Sequence, residues 1–269
     1  MLYLFLWLCL GQGFVQASQK CDPFHPPGPY DVLNPNIGIE EEPGGRGCPA
    51  GMARVENFCI DRFEASLMEG QGDAGLRYWS PYHNPGTRRM RAVSLAGAVP
   101  QGYISGSQAK QACEHSGKRL CGDAEWLRAC RGPQNTRYPF GQNRYPVGSN
   151  AGDPPCNEAR EKHPALELFP KDPHPFTHLE NPCINQLEKS VARSGTFSKC
   201  VSAEGIYDLM GNLHEWTLGP RSVFRGGYYV DTRINGNGCG YVTKAHKFKY
   251  WDYSTGFRCC ADLAAVISY

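Results

Sequence analysis

The chain has 269 residues, with 28 lysines and arginines against 26 aspartates and glutamates. This near balance, without a basic stripe or polybasic run, argues against nucleic acid as a partner. The 31 glycines and 21 prolines interrupt short apolar runs, which excludes a helical bundle or a parallel α/β sheet and points to a loop-rich fold of one large domain or two small ones.

The chain opens with MLYLFLWLCLGQGFVQAS. Its apolar stretch, Leu2 to Leu10, is too short to span a bilayer. Val15-Gln16-Ala17 fits a small-residue cleavage site, so residues 1–17 are expected to be a signal peptide cut after Ala17. The protein is then expected to be secreted or periplasmic, with no membrane span in the mature chain. Removing Cys9 leaves 12 of the 13 cysteines, an even number in an exported chain. That count supports up to six disulfides, and the sequence lacks the close C-x-x-C pairs of a zinc site.

Residues 18–47 are rich in proline and glycine and read as an extended arm or linker. Residues 51–66, GMARVENFCIDRFEAS, alternate enough for a hairpin, with Cys48 and Cys59 flanking its first strand. Residues 67–104 are expected to be mostly loop. Two helices follow. SGSQAKQACEHSG has Ser105 or Ser107 as its cap and Gly117 as its stop, with Ile104, Ala109, Ala112 and Cys113 near one face. GDAEWLRACRG starts at Gly122 or Asp123 and stops at Gly132; Trp126, Leu127 and Cys130 are spaced so that Cys130 faces the core. Residues 133–200 are long and irregular and need ties, for which Cys156, Cys183 and Cys200 are available. Short strands are predicted in GIYDLMGNLHEW, VFRGGYYV and TGFRCCAD.

The segments FCIDRFEAS, GKRLCGDAEWLRACRG, YPFG, GIYDLMGNLHEW, FRGGYY and GFRCCAD occur in the order seen in the formylglycine-generating enzyme (sulfatase-modifying factor) family. The resemblance covers about residues 48 to 264, so 48–269 is taken as a domain of this kind. It implies an α+β, loop-rich formylglycine-generating-enzyme fold related to C-type lectins, with little regular secondary structure. The family's founding activity is oxidation of a peptide cysteine by O₂ at Cu(I), which thiolates hold because they are soft ligands. Those thiolates come from a C-x-x-x-x-C pair starting four residues after the second glycine of the GG strand. Counting from Gly226-Gly227, the two positions are Asp231 and Gly236, and the serine usual after GG is Tyr228. The copper pair is therefore missing, and copper is not expected as a cofactor.

The resemblance also implies that Cys239 is a structural partner of Cys130, and Cys113 of Cys259. Cys121 and Cys260 lie beside those positions and are expected to pair. Cys48 with Cys59 is a local bridge. The partners of Cys21, Cys156, Cys183 and Cys200 stay open; Cys156–Cys200 is favoured, which leaves Cys21–Cys183. Family members bind structural calcium at positions matching Asp208, the Gly211 and Leu213 carbonyls and Glu215, and Ca²⁺ takes six to eight such oxygens. The plain alternative is a hairpin with two solvated acids. A second calcium site would use Asn157 and the Glu158 carbonyl.

His214, Asp231 and His246 lie near the family's active region, and two histidines with an aspartate suit a non-haem metal. The sulfoxide synthases of the family use iron, although their iron ligands come mainly from a separate helical domain. Two hydrogen-bonded histidines and a turn aspartate are the alternative. Trp126, Trp216 and Trp251 are expected to be core or groove walls. No phosphate loop, G-x-S-x-G elbow or H-E-x-x-H is present. The expected function is a disulfide- and calcium-stabilised binding module for a protein, peptide or glycan. The alternatives are a metal-dependent oxidoreductase built on His214, Asp231 and His246, and a surface protein that docks through its proline-rich arm.

Overall fold

The computed structural model describes residues 20–70, 75–158, 160–221 and 223–264. The expected signal peptide and Cys9 lie outside these residues. Strands β1 (Met52–Val55) and β2 (Phe58–Asp61) form the predicted hairpin, and β3 (Ala65–Glu69) continues the chain. Residues 67–104 are more ordered than the sequence suggests. The short β4 (Arg77–Tyr78) and β5 (Met90–Ser94) flank β3, with Ala65 opposite Ser94 and Glu69 opposite Met90. Met90, Ala92 and Ser94 are buried while Arg91 and Val93 are not. This is a period-2 strand whose small and polar inward residues hide it from a hydrophobicity reading.

Helix α1 (Gly106–His115) is capped by Ser105, whose Oγ accepts from the Gln108 N–H while Gln108 Oε1 accepts from the Ser105 N–H. This reciprocal box satisfies two otherwise orphan donors. After β6 (Arg119–Leu120), helix α2 (Asp123–Arg131) ends at Gly132, which stands at a positive φ of 61°. Ala109, Ala112 and Cys113 of α1, and Trp126, Ala129 and Cys130 of α2, are buried. Between residues 133 and 200 the regular elements are α3 (Pro164–Leu168) and two single 3₁₀ turns. Then come β7 (His214–Thr217), β8 (Val223–Arg225), β9 (Val242–Thr243), β10 (Thr255–Phe257) and β11 (Cys259–Asp262).

The sheets run β1-β2-β11-β6, β10-β7-β8-β9 and β4-β3-β5. The C-terminal strand thus closes against the N-terminal hairpin, and β10 lies parallel to β7. The architecture is α+β and loop-rich, as expected. A main core gathers Trp79, Ile104, Trp216, Phe224 and Phe257, and a second packs Trp126, Ile206 and Leu209 against β1 and β2. Trp251 is half-buried beside a tyrosine cluster. The arm is laid onto the domain: Asn36 is buried, its Nδ2 donates to the Val99 carbonyl at 2.9 Å, and its Oδ1 accepts from the Val99 N–H at 2.7 Å. Among the described residues no helix is long and apolar enough to cross a membrane.

Six disulfides tie these short elements: Cys21–Cys183, Cys48–Cys59, Cys113–Cys259, Cys121–Cys260, Cys130–Cys239 and Cys156–Cys200. They are the pairs named from the sequence, including the two left open there. The adjacent Cys259 and Cys260 point to opposite faces of β11, as successive strand residues must, so each reaches a different helix-proximal partner.

Candidate functional site

The GG turn after β8 sets the geometry of the region. Gly226 and Gly227 have φ of 81° and 75°, and a Cβ on Gly227 would stand 2.5 Å from the Asp231 carbonyl. Only glycine allows this turn, which folds Tyr228 back to pair with Asp231. Asp231 then caps the loop. Its Oδ1 accepts from the Arg233 and Ile234 N–H groups at 2.8 and 3.0 Å, and its Oδ2 accepts from the Tyr241 hydroxyl at 2.7 Å. Gly236 has a φ of 124°, and a Cβ there would meet the Gly240 carbonyl at 2.7 Å. The two positions that correspond to the family's thiolates are thus a capping aspartate and a glycine without room for a side chain. Cys239 sits in a 3₁₀ turn (Gly238–Gly240), buried and bonded to Cys130.

His214 opens β7. Its backbone N–H donates to the Ser254 carbonyl at 2.8 Å, which ties the start of β7 to the start of β10. The ring is buried among Phe224, Tyr228 and Tyr241, with centroids at 5.2, 4.7 and 5.6 Å. Burial pulls its pKa down to about 3, and among the described residues Nδ1 has no hydrogen-bond partner. His246 is exposed and stacks on Tyr250 at 3.9 Å and on Phe224 at 5.4 Å. The three candidates share an aromatic neighbourhood but do not converge. Asp231 is spent on its turn, and among the described residues no three His, Cys, Asp or Glu side chains are placed to hold a metal.

A second network lies under the candidate calcium residues. Of the segment GIYDLMGNLHEW only its end enters strand β7, and the stretch before it is a run of turns, because Asp208, Gly211 and Asn212 take positive φ values of 60°, 78° and 55°. That backbone curls as a cation loop would, but its carboxylates have other work. Both Glu215 oxygens face the buried Arg258 guanidinium, at 2.6 Å from Nε and 2.6 Å from Nη2, and Glu215 also accepts from Trp126 Nε1 at 2.7 Å. Asp208 Oδ2 accepts from the Gly195 N–H at 2.7 Å. Glu64, buried nearby, accepts from the Leu213 N–H at 3.0 Å and from Asn212 Nδ2. Burial raises the Asp208 pKa to about 7, and burial with the charge of Asp208 and Glu215 pushes Glu64 well above the usual carboxylate range.

In this arrangement Asp208, Gly211, Leu213 and Glu215 could gather as a calcium cage only if Glu215 left Arg258. A guanidinium already fills the Glu215 carboxylate, and a divalent cation beside it would be repelled. At the second candidate site the side chains of both residues are hydrogen-bonded, through Asn157 Nδ2 and the Glu158 carboxylate. Asn157 Nδ2 donates to the Ser190 carbonyl and to Asn212 Oδ1, at 2.9 and 2.8 Å, while Glu158 pairs with Arg144 and Thr232. Sequence reasoning missed Glu64 and Arg258. Their signal was a single charge embedded in each of the apolar runs FEAS and GFRCC, since such charges are rarely buried without a partner.

The sequence model of the Sulfatase-modifying factor enzyme 1-like domain matches residues 26–263 of this chain. Among solved structures, the chain is similar to a Major Tropism Determinant U1 Variant at 14% identity and a TM-score of 0.39, over 80% of this chain and 53% of that one. This chain therefore spans about half the length of that protein. It is also similar to CarF, known from a crystal structure, at 16% identity and a TM-score of 0.37, over 77% of this chain and 87% of CarF. No curated protein matches.

Proposed function

This chain belongs to the sulfatase-modifying factor enzyme 1-like domain family, and we propose that it uses the family scaffold as a disulfide-stabilised binding module and not as a copper-thiolate oxidase. One observation carries the reading: every cysteine among the described residues is held in a disulfide, Cys239 included. A Cu(I) dithiolate needs two thiolates, and the loop offers Asp231 and Gly236 in their place. The loop is instead fastened at both ends, by the Asp231–Tyr241 hydrogen bond and by Cys130–Cys239. Such pre-organisation suits recognition, because a fixed loop loses little entropy on binding. The ligand is a protein, peptide or glycan. Export to an oxidising compartment accords with six disulfides.

The test is non-reducing peptide mapping of the alkylated protein, with an oxidase assay on a cysteine peptide under O₂ and Cu(I). No alkylated thiol and no formylglycine product are expected. An alkylated Cys239 or measurable product would overturn the reading.

Calcium at Asp208, the Gly211 and Leu213 carbonyls and Glu215 is a separate proposal, and it requires Glu215 to leave Arg258. The second reading, a metal-dependent oxidoreductase, draws on the buried, unpartnered His214 Nδ1. It requires Asp231 to leave its turn. Elemental analysis after loading with iron or copper and dialysis decides it, and a protein that retains neither metal removes it.

A further inference from the structure

The Cys130–Cys239 staple builds a pocket as well as a loop. Helix α2 ends at Arg131, and Thr136 folds back so that its N–H and Oγ donate to the Arg131 carbonyl at 2.9 and 3.0 Å. The Cys239 N–H donates to the Arg137 carbonyl at 2.9 Å, joining the 238–240 turn to the same segment. Gly238 makes this approach possible, since a Cβ there would lie 2.4 Å from that carbonyl. Between these three pieces lies a cavity of about 350 Å³, lined by Arg131, Asn135, Arg137, Gln142 and Asn237.

The chemistry of the lining is one-sided. It holds two guanidiniums and three amides, and among the described residues no carboxylate lines it. Many arginines of this chain face an acid: Arg62, Arg119, Arg128, Arg144, Arg160, Arg225 and Arg258 are all ion-paired. Arg137 is exposed, with no side-chain partner among the described residues. Among the described residues Arg131 reaches only Asn135 Oδ1, at 3.4 Å. Gln142 is oriented, because its Oε1 accepts from the Arg137 N–H at 3.3 Å and leaves its NH₂ as a donor. Guanidiniums present forked donors that match a carboxylate or a sulfate. Amides offer both donors and acceptors and so match hydroxyls. Among the described residues no aromatic ring that would favour an apolar ligand lines the pocket.

We propose that this pocket is a binding site for an acidic saccharide, with Arg131 and Arg137 on its anionic group and Gln142, Asn135 and Asn237 on its hydroxyls. The inference rests on the binding-module reading and names the ligand class. A uronate carboxylate and a sulfate ester share the required chemistry, and the probes separate them.

The full chain is titrated calorimetrically with a heparin-derived tetrasaccharide, with trigalacturonate, with neutral maltotriose and with a glutamate-rich peptide. At least one acidic saccharide is expected to bind, maltotriose is not, and affinity should fall with added salt. R131Q/R137Q should weaken binding at least tenfold. R137Q alone alters only an exposed side chain, so its loss of binding is readable even if the Arg131 change disturbs α2. No binding of either acidic saccharide at millimolar concentration overturns the proposal. So does tighter binding of the peptide. Saccharide binding that survives R131Q/R137Q also overturns it, but leaves the chain a binding module at another site. Formylglycine production in the oxidase assay would instead sink the module reading, whatever this pocket does.

Discussion

Replacing Asp208 by asparagine separates a self-contained carboxylate network from a cation site. Asparagine keeps an oxygen to accept from the Gly195 N–H, now made by Asp208 Oδ2 at 2.7 Å, and removes only the titration. Asp208 has a folded pKa raised from 3.8 to about 7, with burial as the main cause. A carboxyl with a raised folded pKa contributes stability fully present below its unfolded pKa. That stability is lost as pH rises through the folded one, because the folded state binds the extra proton. Three pKa units at about 1.4 kcal/mol each correspond to roughly 4 kcal/mol between pH 4 and pH 8. Wild type loses that amount and Asp208→Asn does not. The variant should therefore be close to wild type at pH 4 and more stable by about 2–4 kcal/mol at pH 8. The assay is urea denaturation of both proteins at each pH, repeated with calcium and with EGTA. Parallel pH curves would refute the burial argument. A variant that is less stable than wild type at pH 8 would refute it more strongly, above all if EGTA lowers wild type to the same level. Asp208 would then be ionised against a bound ion, and Arg258 would not be the partner Glu215 keeps.

His214 works in the opposite direction. Burial lowers its pKa from 6.5 to about 3, so its stability is fully present above pH 6.5 and lost as pH falls towards 3. His214→Phe should remove about 3 kcal/mol of the loss seen on going from pH 7 to pH 4, measured as the difference between the two proteins' denaturation midpoints. Arg258→Met strips the partner from Glu215 and from the Asp61 and Tyr207 carbonyls. A cost of about 3–5 kcal/mol is expected in chemical denaturation, since it leaves a buried charge unpaired. Arg258→Lys should recover little of it, because one ammonium cannot reproduce the fork. The double variant Cys130→Ser, Cys239→Ser opens a loop with a sequence separation of 109. It should lose roughly 4–5 kcal/mol in the chain-entropy account, read from the guanidinium midpoint under oxidising conditions.

The sequence carried the local elements wherever the signal was itself local. The cap at Ser105, one of the two serines the sequence offers, and the stops at Gly117 and Gly132 sit in α1 and α2 as their sequences imply, because caps and positive-φ glycines act within one helical turn. The hairpin of β1 and β2 followed from alternation. Strand β5 did not, because its inward face is Met90, Ala92 and Ser94 and burial there comes from β3 and α1, not from hydrophobicity.

The candidate site divides along the same line. Two thiolate positions without cysteine, the even cysteine count and the unusual placement of His214, Asp231 and His246 are properties of the string of residues. Which atoms those residues engage is not. Asp231 turned out to cap its own loop, and Glu215 to face Arg258 across 43 positions of chain. The pocket at the end of α2 joins Arg131 and Arg137 to Asn237, about a hundred residues later, through the Cys130–Cys239 bond. Residue types and their order determined the family, helices α1 and α2 and the even count of cysteines, since these depend on near neighbours and on chemistry each side chain carries alone. Only the tertiary structure decided which buried charges pair and which arginines face a cavity. Those choices are made by desolvation, and desolvation exists only once distant segments have packed.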